Sequence, residues 1–353
     1  MRGVNLHVVF CSQREPNRLW DLPPLDFPHT FLKERFVTVN GRYIHVNPDV
    51  MSVLRGLSPD VVITDGFNPT HLCAFAHAML KKKAHVAMTD GTDVSEQSLS
   101  KVHKLVRRIV YGRSGAFISA SRGGERLYRS YGVARERCFQ SCLCADNAAF
   151  AGVKATPDAP FDFIFSGRIE QVKNPLFVLE VAAEAARLLK RKTRILFVGA
   201  GSLEEVLRIE AARLADLVDM QFHGHAAQRE LPALYASARV LLFPTSWDPW
   251  GVVANEACAA GLPVMTTPAA GVAGELVVDG VNGFVCALDV KKWGERAATL
   301  LLNDGVWQNF SSRSHALVDD YNYDKAAMGI WNACRFALST QSDGMRRRVM
   351  GRS

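Results

Sequence analysis

The sequence predicts an α/β protein built from two doubly wound parallel-sheet domains. Three observations predict it. Short apolar runs of strand length alternate with helix-like stretches, and that alternation occurs twice along the chain. Between the two series lies Asp146–Pro160, rich in Ala, Gly, Pro and Asp and without periodicity, which suits an inter-domain connection. The length, 353 residues, suits two domains of roughly 100–200 residues each. The expected division is 1–150, 151–322 and a closing segment, 323–353, in which a helix returns to the first domain and a basic tail follows.

In the first series the expected strands are Leu6–Phe10, Val61–Thr64, His85–Thr89 and Ala116–Ser119. Thr70–Lys83 and Glu96–Tyr111 read as helices between them. The second series has strands at Phe161–Phe165, Arg194–Val198, Met220–Phe222, Val240–Phe243, Pro263–Thr266 and Gly283–Cys286. Helices are expected at Pro175–Lys190, Leu203–Leu217, Gln228–Ala238 and Val252–Ala260. An aromatic-studded helix, Tyr323–Leu338, precedes a frayed basic end at Met345–Ser353.

Composition excludes several classes. Apolar residues make up 48% and charged residues 22%, the balance of a globular protein rather than of a fibre or a disordered tail. No apolar run reaches the roughly 18 residues of a spanning helix; the nearest approach, Leu72–Leu80, is interrupted by His77. Met1–Phe10 holds one Arg, a short strand-like run and no cleavage site, so a cytoplasmic protein is expected. The eight cysteines match no zinc spacing, even at Cys138, Cys142 and Cys144, and read as thiols of a reducing compartment. The net charge of +7 sits wholly in the first 150 residues, with 20 Lys/Arg against 13 Asp/Glu. It concentrates at Lys81–Lys83 and at Lys101, Lys104, Arg107, Arg108 and Arg113. No aromatic–basic pattern for nucleic acid accompanies it. Lys101–Tyr111 sets Val102, Leu105, Val106, Ile109 and Val110 against these cations, a pattern that suits either an anionic membrane surface or a helix packed on a sheet.

Ligands of open parallel sheets bind beyond the carboxyl ends of the strands, so the residues there carry the argument. Ser166-Gly167-Arg168 follows Phe161–Phe165, with Lys173 five residues on. Two cations beside a glycine suit a diphosphate, Arg offering a planar fork and Lys a point charge; alone, such residues are ordinarily solvated. The second place is Asp248-Pro249-Trp250-Gly251, after Val240–Phe243. Asp suits an N-cap and Pro the first helical position. The amides of Trp250, Gly251, Val252 and Val253 would then form an anion site. Glu256 would lie about 12 Å further along that helix, close to the span from sugar to ribose in a nucleotide sugar. It precedes Ala257-Cys258-Ala259-Ala260-Gly261. A carboxylate in so packed a setting needs a partner.

These pieces come in the order found in one family. Ser166–Asp289 resembles the donor domain of the glycosyltransferase group 1 family, the retaining family 4 of GT-B enzymes. The matching residues are Ser166-Gly167-Arg168 with Lys173, Val198–Gly201, Phe222-His223-Gly224 and Leu242–Thr245. An acid, seven residues and Glu follow at Asp248 and Glu256, then Ala257–Val264, and Gly271 to Gly283 with Glu275, Asp279-Gly280 and Asn282. The resemblance implies two Rossmann-like domains facing across a cleft and transfer of a sugar from a nucleotide-diphosphate donor to a saccharide or lipid-linked acceptor. It also implies retention of configuration and no metal or other cofactor. By the same resemblance Arg168 and Lys173 neutralise the diphosphate, Asp248 contacts the transferred sugar and Glu256 the ribose. Base recognition falls near Gly199–Gly201 and His223–His225. On the acceptor side, Asp90 of Met88–Asp93 takes the place of the family's polar residue facing the sugar carbon. Asp65-Gly66 is a weaker copy, and Ser119–Gly124 another cleft segment.

The sequence departs from the family twice. Asp248 stands where Glu is usual, one methylene shorter. The usual first strand and glycine-rich loop are not recognised ahead of Leu6–Phe10, which implies a truncated start or a differently built acceptor side. Both departures admit a second reading, an inactive nucleotide-sugar-binding partner subunit; a sugar-nucleotide epimerase is a more distant one. Glu204, where the third glycine of its motif would fall, argues against a dehydrogenase, and the lack of a nucleophile elbow around Ser119 and Ser121 argues against a serine hydrolase.

Overall fold

The computed structural model describes residues 4–13, 24–39, 42–97, 99–150 and 152–350; of Arg42 and residues 342–350 it describes the backbone only. The chain divides into two compact units. The first comprises Met1–Ser119, Gly123–Gln140 and Met328–Ser353, the second Ala120–Arg122 and Ser141–Ala327.

The first unit opens with β1 (Val8–Phe10), parallel to β2 (His29–Phe31), and an antiparallel pair, β3 (Phe36–Val39) and β4 (Arg42–His45). After α1 (Val50–Leu57) comes a four-stranded parallel sheet. Its strands β5 (Val61–Thr64), β6 (Ala84–Thr89), β7 (Ala116–Ser119) and β8 (Cys138–Gln140) lie in chain order. Between them run α2 (Pro69–Leu80), α3 (Asp93–Gln97), α4 (Lys101–Tyr111) and α5 (Arg122–Ser130). The strand expected at Leu6–Phe10 is β1, which among the described residues pairs only with β2. The single helix expected over Glu96–Tyr111 is two. Ser100 has extended backbone and its hydroxyl accepts from the His103 amide, so it caps α4 instead of continuing α3.

In the second unit α6 (Asn147–Phe150) precedes β9 (Phe161–Ser166), α7 (Pro175–Leu189), β10 (Thr193–Val198), α8 (Glu204–Arg213) and β11 (Val218–Gly224). Then come α9 (Leu231–Ala236), β12 (Ala238–Phe243), α10 (Val252–Ala259), β13 (Val264–Thr266), β14 (Gly283–Val285), α11 (Val290–Leu302) and α12 (Asp304–Val318). The six strands are parallel, in the order β11-β10-β9-β12-β13-β14. That order reverses direction between β9 and β12, the topological switch point of a doubly wound sheet. Alternate residues feed two cores, Ile164, Leu196 and Leu241 one, and Phe163, Phe165, Phe197 and Val240 the other. A strand buried on both faces must be apolar throughout, and β12 is buried at all six positions.

The division into units falls at Gln140/Ser141, ahead of the expected linker. Asp146–Pro160 is not a free connection. Phe150 is buried against Tyr235 with ring centroids 6.0 Å apart, and the Ala155 amide donates to the Ala260 carbonyl at 3.0 Å. The last helix, α13 (Tyr323–Met350), passes into the first unit from Met328. Ala333 and Ala337 pack there on Ala84, Val86, Ala116 and Ile118. Gly115 makes this approach possible, since a Cβ on it would lie 3.0 Å from that of Ala337. The end expected to fray from Met345 keeps helical backbone to Met350, and 351–353 lie outside the described residues.

Candidate functional site

The switch point between β9 and β12 gathers the charged residues of the second unit. The chain leaves β9 through Gly167, at φ 135°, and passes against the loop after β10. The Gly167 amide donates to the Val198 carbonyl at 2.9 Å and that of Ile169 to Ala200 at 3.0 Å. Gly199 is obligatory there: a Cβ on it would lie 1.9 Å from the Gly167 oxygen, and its φ is 134°. Glu170 then holds the neighbouring loop, accepting from the Ser202 amide at 3.1 Å and hydroxyl at 2.6 Å, bonds that lower its pKa. Arg168 between these ties is exposed, with no hydrogen-bonded partner among the described residues.

The turn that carries Lys173 (Gln171–Lys173) is stitched to the loop after β12. The Ser246 amide donates to the Val172 carbonyl at 2.8 Å, as does the Thr245 hydroxyl at 3.1 Å. The Asn174 side-chain amide donates to the Pro244 carbonyl and the Ser246 hydroxyl, both at 2.7 Å. These ties bring Lys173 to Asp248, 75 residues away in sequence, as a partly buried ion pair. The ammonium also lies 5.2 Å from the Phe243 ring centroid.

Here the structure corrects two expectations. Asp248 is not the N-cap of α10. Its other carboxylate oxygen accepts from the Trp250 amide at 3.0 Å, a local turn, and the helix starts after Gly251 at φ 103°. Tertiary pairing wins over the Asp-Pro helix signal: the Asp248 amide donates to the Ala269 carbonyl at 3.3 Å and its own carbonyl accepts from Gly271 at 3.0 Å. The Trp250 amide is therefore not available to an anion. Its side chain is buried, the indole N–H donating to Asn255 at 2.7 Å. Gly251, Val252 and Val253 do stand at the helix N-terminus, which has no side-chain cap. Gly251 is required, because a Cβ would lie 2.4 Å from the Phe243 ring.

Glu256 is not a solvated helix residue. It is 9% exposed, and the Tyr235 hydroxyl donates to it at 2.7 Å. Burial raises its pKa to about 7, opposed in part by that hydrogen bond. The sequence argument that such a carboxylate needs a partner holds, but the first partner is Tyr235, on α9. Nothing in the sequence marks Tyr235, an aromatic in an apolar helix; Asn174, just before Pro175, was legible only as a helix start. Among the described residues no three His, Cys, Asp or Glu side chains gather as metal ligands would.

In the first unit Asp90 ends β6 in a turn, exposed, with the neighbouring Thr89 hydroxyl accepting from the Gly91 amide at 3.0 Å. Asp65, after β5, is paired with His71 Nε2 at 3.1 Å. Burial lowers the His71 pKa, and Asp65 works against it.

The profile of the family "Glycosyl transferases group 1" matches residues 147–315, which hold every residue of the switch-point site. This match covers 169 of the 353 residues, just under half of the chain. The chain is 33% identical over 130 residues to glycogen synthase of Mycobacterium tuberculosis, covering 36% of this chain and 30% of that enzyme. It is 26% identical over 238 residues to D-inositol 3-phosphate glycosyltransferase of Xylanimonas cellulosilytica, covering 62% and 56%. The match thus spans from under a third to just over half of these relatives' lengths. Among solved structures, Anabaena HepE in complex with UDP and glucose superposes with a TM-score of 0.64 at 16% identity, over 92% of this chain and 86% of that one. Sucrose-phosphate synthase from Thermosynechococcus elongatus does so at 0.65 and 15%, over 99% and 90%. At such identity these likenesses speak for the fold, and the fold is GT-B, two Rossmann-like units with the group 1 segment in the second.

Proposed function

We propose that the protein is a retaining glycosyltransferase that moves a sugar from a nucleoside-diphosphate sugar to a hydroxyl of a saccharide or lipid-linked acceptor. The observation that carries this reading is the meeting of Lys173 and Asp248 at the switch point of a group 1 segment, beside exposed Arg168. Breaking the bond between the anomeric carbon and the phosphate oxygen leaves the electron pair on the phosphate and positive charge on the sugar ring. Fixed cations at the phosphate favour that state over the intact donor. Arg168 and Lys173 serve there, with the Gly251, Val252 and Val253 amides supporting the diphosphate. Asp248, released from Lys173 as the diphosphate engages the ammonium, turns to the sugar hydroxyls. Glu256, ionised, accepts from the ribose hydroxyls, and Asp90 faces the reacting carbon from the acceptor side. No residue calls for a metal or cofactor in this scheme. The setting is cytoplasmic, with the acceptor presented at the inner face of a membrane; among the described residues no helix is long and apolar enough to cross one.

One observation favours a second reading, a nucleotide-sugar-binding subunit without turnover: both carboxylate oxygens of Asp248 are already engaged. A release assay separates the two. The purified protein is incubated with UDP-, GDP-, ADP- and dTDP-sugars, with and without a lipid and oligosaccharide extract, and free nucleoside diphosphate is measured. Release that needs the extract and vanishes in Arg168→Ala and Glu256→Ala supports the transferase. Donor binding without release from any donor supports the binding subunit.

A further inference from the structure

Helix α4 has two apolar faces, and only one of them is covered. Its sequence, from Lys101 to Tyr111, contains four Lys/Arg and no acidic residue. Val106, Val110 and Tyr111 pack into the core of the first unit with Phe75, Phe117 and Tyr128. Val102, Leu105 and Ile109 remain 70%, 57% and 46% exposed. At 3.6 residues per turn these three lie within an arc of about 60°. Single exposed aliphatic side chains are ordinary; three on successive turns of one short helix form a stripe.

Cations border that stripe. Lys101 and Arg108 are exposed on its edge, and neither has an acidic partner among the described residues. Arg113, also exposed, donates to the Ile109 carbonyl at 3.2 Å, which sets its guanidinium at the helix end. Arg107 differs: it is drawn inward by Glu96 and lies 4.8 Å from the Phe67 ring centroid, so the structure removes it from the basic cluster expected from sequence. That inward tie and the Ser100 cap hold α4 in place, so the stripe is presented on a fixed element.

We propose that this face of α4 docks on an anionic lipid bilayer. Val102, Leu105 and Ile109 enter the boundary between headgroups and acyl chains, and Lys101, Arg108 and Arg113 meet lipid phosphates. Charge decides the occupant. A second copy joined through the same face would set these cations against their own counterparts. Nucleic acid would leave the aliphatic stripe without a partner. The inference deepens the membrane part of the proposed function by giving it a surface, and it stands on the first unit alone.

The test is co-sedimentation of the full chain, without donor, with phosphatidylcholine vesicles and with phosphatidylcholine–phosphatidylglycerol vesicles, at low and high salt. Binding is expected to the anionic vesicles, weakened by salt, and not to the neutral ones. Leu105→Ser/Ile109→Ser and Lys101→Ala/Arg108→Ala should each lower partitioning about tenfold or more. Thermal melting of both variants should match the parent, because the altered side chains are exposed. No binding at low salt, equal binding to both vesicle types, or parental binding by both variants would overturn the proposal. So would a dimer in sedimentation that Leu105→Ser/Ile109→Ser abolishes while vesicle binding is missing. Donor binding measured on the same samples reports separately on the second unit, so failure there leaves the docking result standing.

Discussion

In the second unit the loops after β9, β10 and β12 are held by backbone-to-backbone bonds with side-chain ties added, whereas in the first unit the loops after β5 and β6 are held mainly by side chains. Gly167, Gly199 and Gly224 show the first kind: the Gly167 amide donates to Val198 and the Gly199 amide to Gly224 at 2.7 Å. His71 shows the second kind, its ring lying under Gly66 while its Nε2 meets Asp65. The difference bears on what each loop can do. Charged groups mounted on backbone that is itself hydrogen-bonded keep their positions when charge develops nearby, the condition for electrostatic stabilisation. Loops held by one side chain can re-form around different partners.

Glycine substitutions test this contrast most directly and carry the largest expected effect. Gly199→Ala puts a Cβ 1.9 Å from a carbonyl oxygen, on backbone at φ 134°. The loops must separate, at a cost of about 3 kcal/mol or more. Gly66→Ala meets the His71 ring at 2.5 Å, and a ring can rotate away, so the loss should stay near ~1 kcal/mol. Melting temperatures of the two variants check this. Equal losses would mean that the two sets of loops are equally rigid.

Next comes Glu256→Ala. It strips the Tyr235 hydroxyl of its acceptor and, in the proposed function, removes the group for the ribose. Loss of a buried hydrogen-bonded carboxylate should weaken nucleoside-diphosphate binding about 100-fold, read by calorimetry with UDP and GDP. Asp65→Ala in the first unit should leave that affinity within about twofold. If Asp65→Ala weakens it as much, the donor is not bound by the second unit alone.

The same residue predicts a pH response of intermediate size. The folded pKa of Glu256, about 7, lies above its ordinary value of 4.5. The folded protein therefore holds this proton more tightly than the unfolded chain does. The resulting stabilisation is full below the unfolded value and is lost as pH rises through about 7. Between pH 6 and 8 the loss is on the order of 1 kcal/mol, seen as a falling melting temperature that Glu256→Gln flattens. Donor affinity should move the opposite way, rising with pH as the carboxylate ionises to accept from the ribose. A melting curve insensitive to the Gln substitution would remove Glu256 as the source.

How much of this was legible in the sequence follows from the same contrast. The strands of the second unit were readable because β9, β10 and β12 are apolar on both faces, and the glycines at 167, 199 and 251 mark places where backbone must pass close. Arg168 and Lys173 could be placed because they follow a strand directly. What was not legible depended on residues far apart in sequence. Asp248 and Pro249 carry a good local helix signal, but pairing with Ala269 and Gly271 overrides it. The Tyr235 bond to Glu256 joins two helices and leaves no local mark. Likewise the periodicity of α4 showed an amphipathic helix but not which aliphatic residues face inward. The six apolar residues of β5 and β7, all set in or against the cores, sufficed for the first sheet, while β3, β4 and α1 have patterns too short to read.

The smallest expected effect is that of Asp90→Asn on stability. Asp90 is exposed and its carboxylate takes no hydrogen bond from a described residue, so the melting temperature should move by less than ~0.5 kcal/mol equivalent. Donor affinity should stay unchanged as well, since the proposed function gives the donor to the second unit. Turnover is the informative readout. If Asp90 faces the reacting carbon, kcat falls while the donor Kd holds, the pattern of a group that acts in the transition state only. A melting temperature lowered as far as by Gly66→Ala would instead make Asp90 a turn residue of the Asp-Gly kind. In that case the first unit would contribute its reactive group from another strand end, with Asp65 and His71 the pair to test.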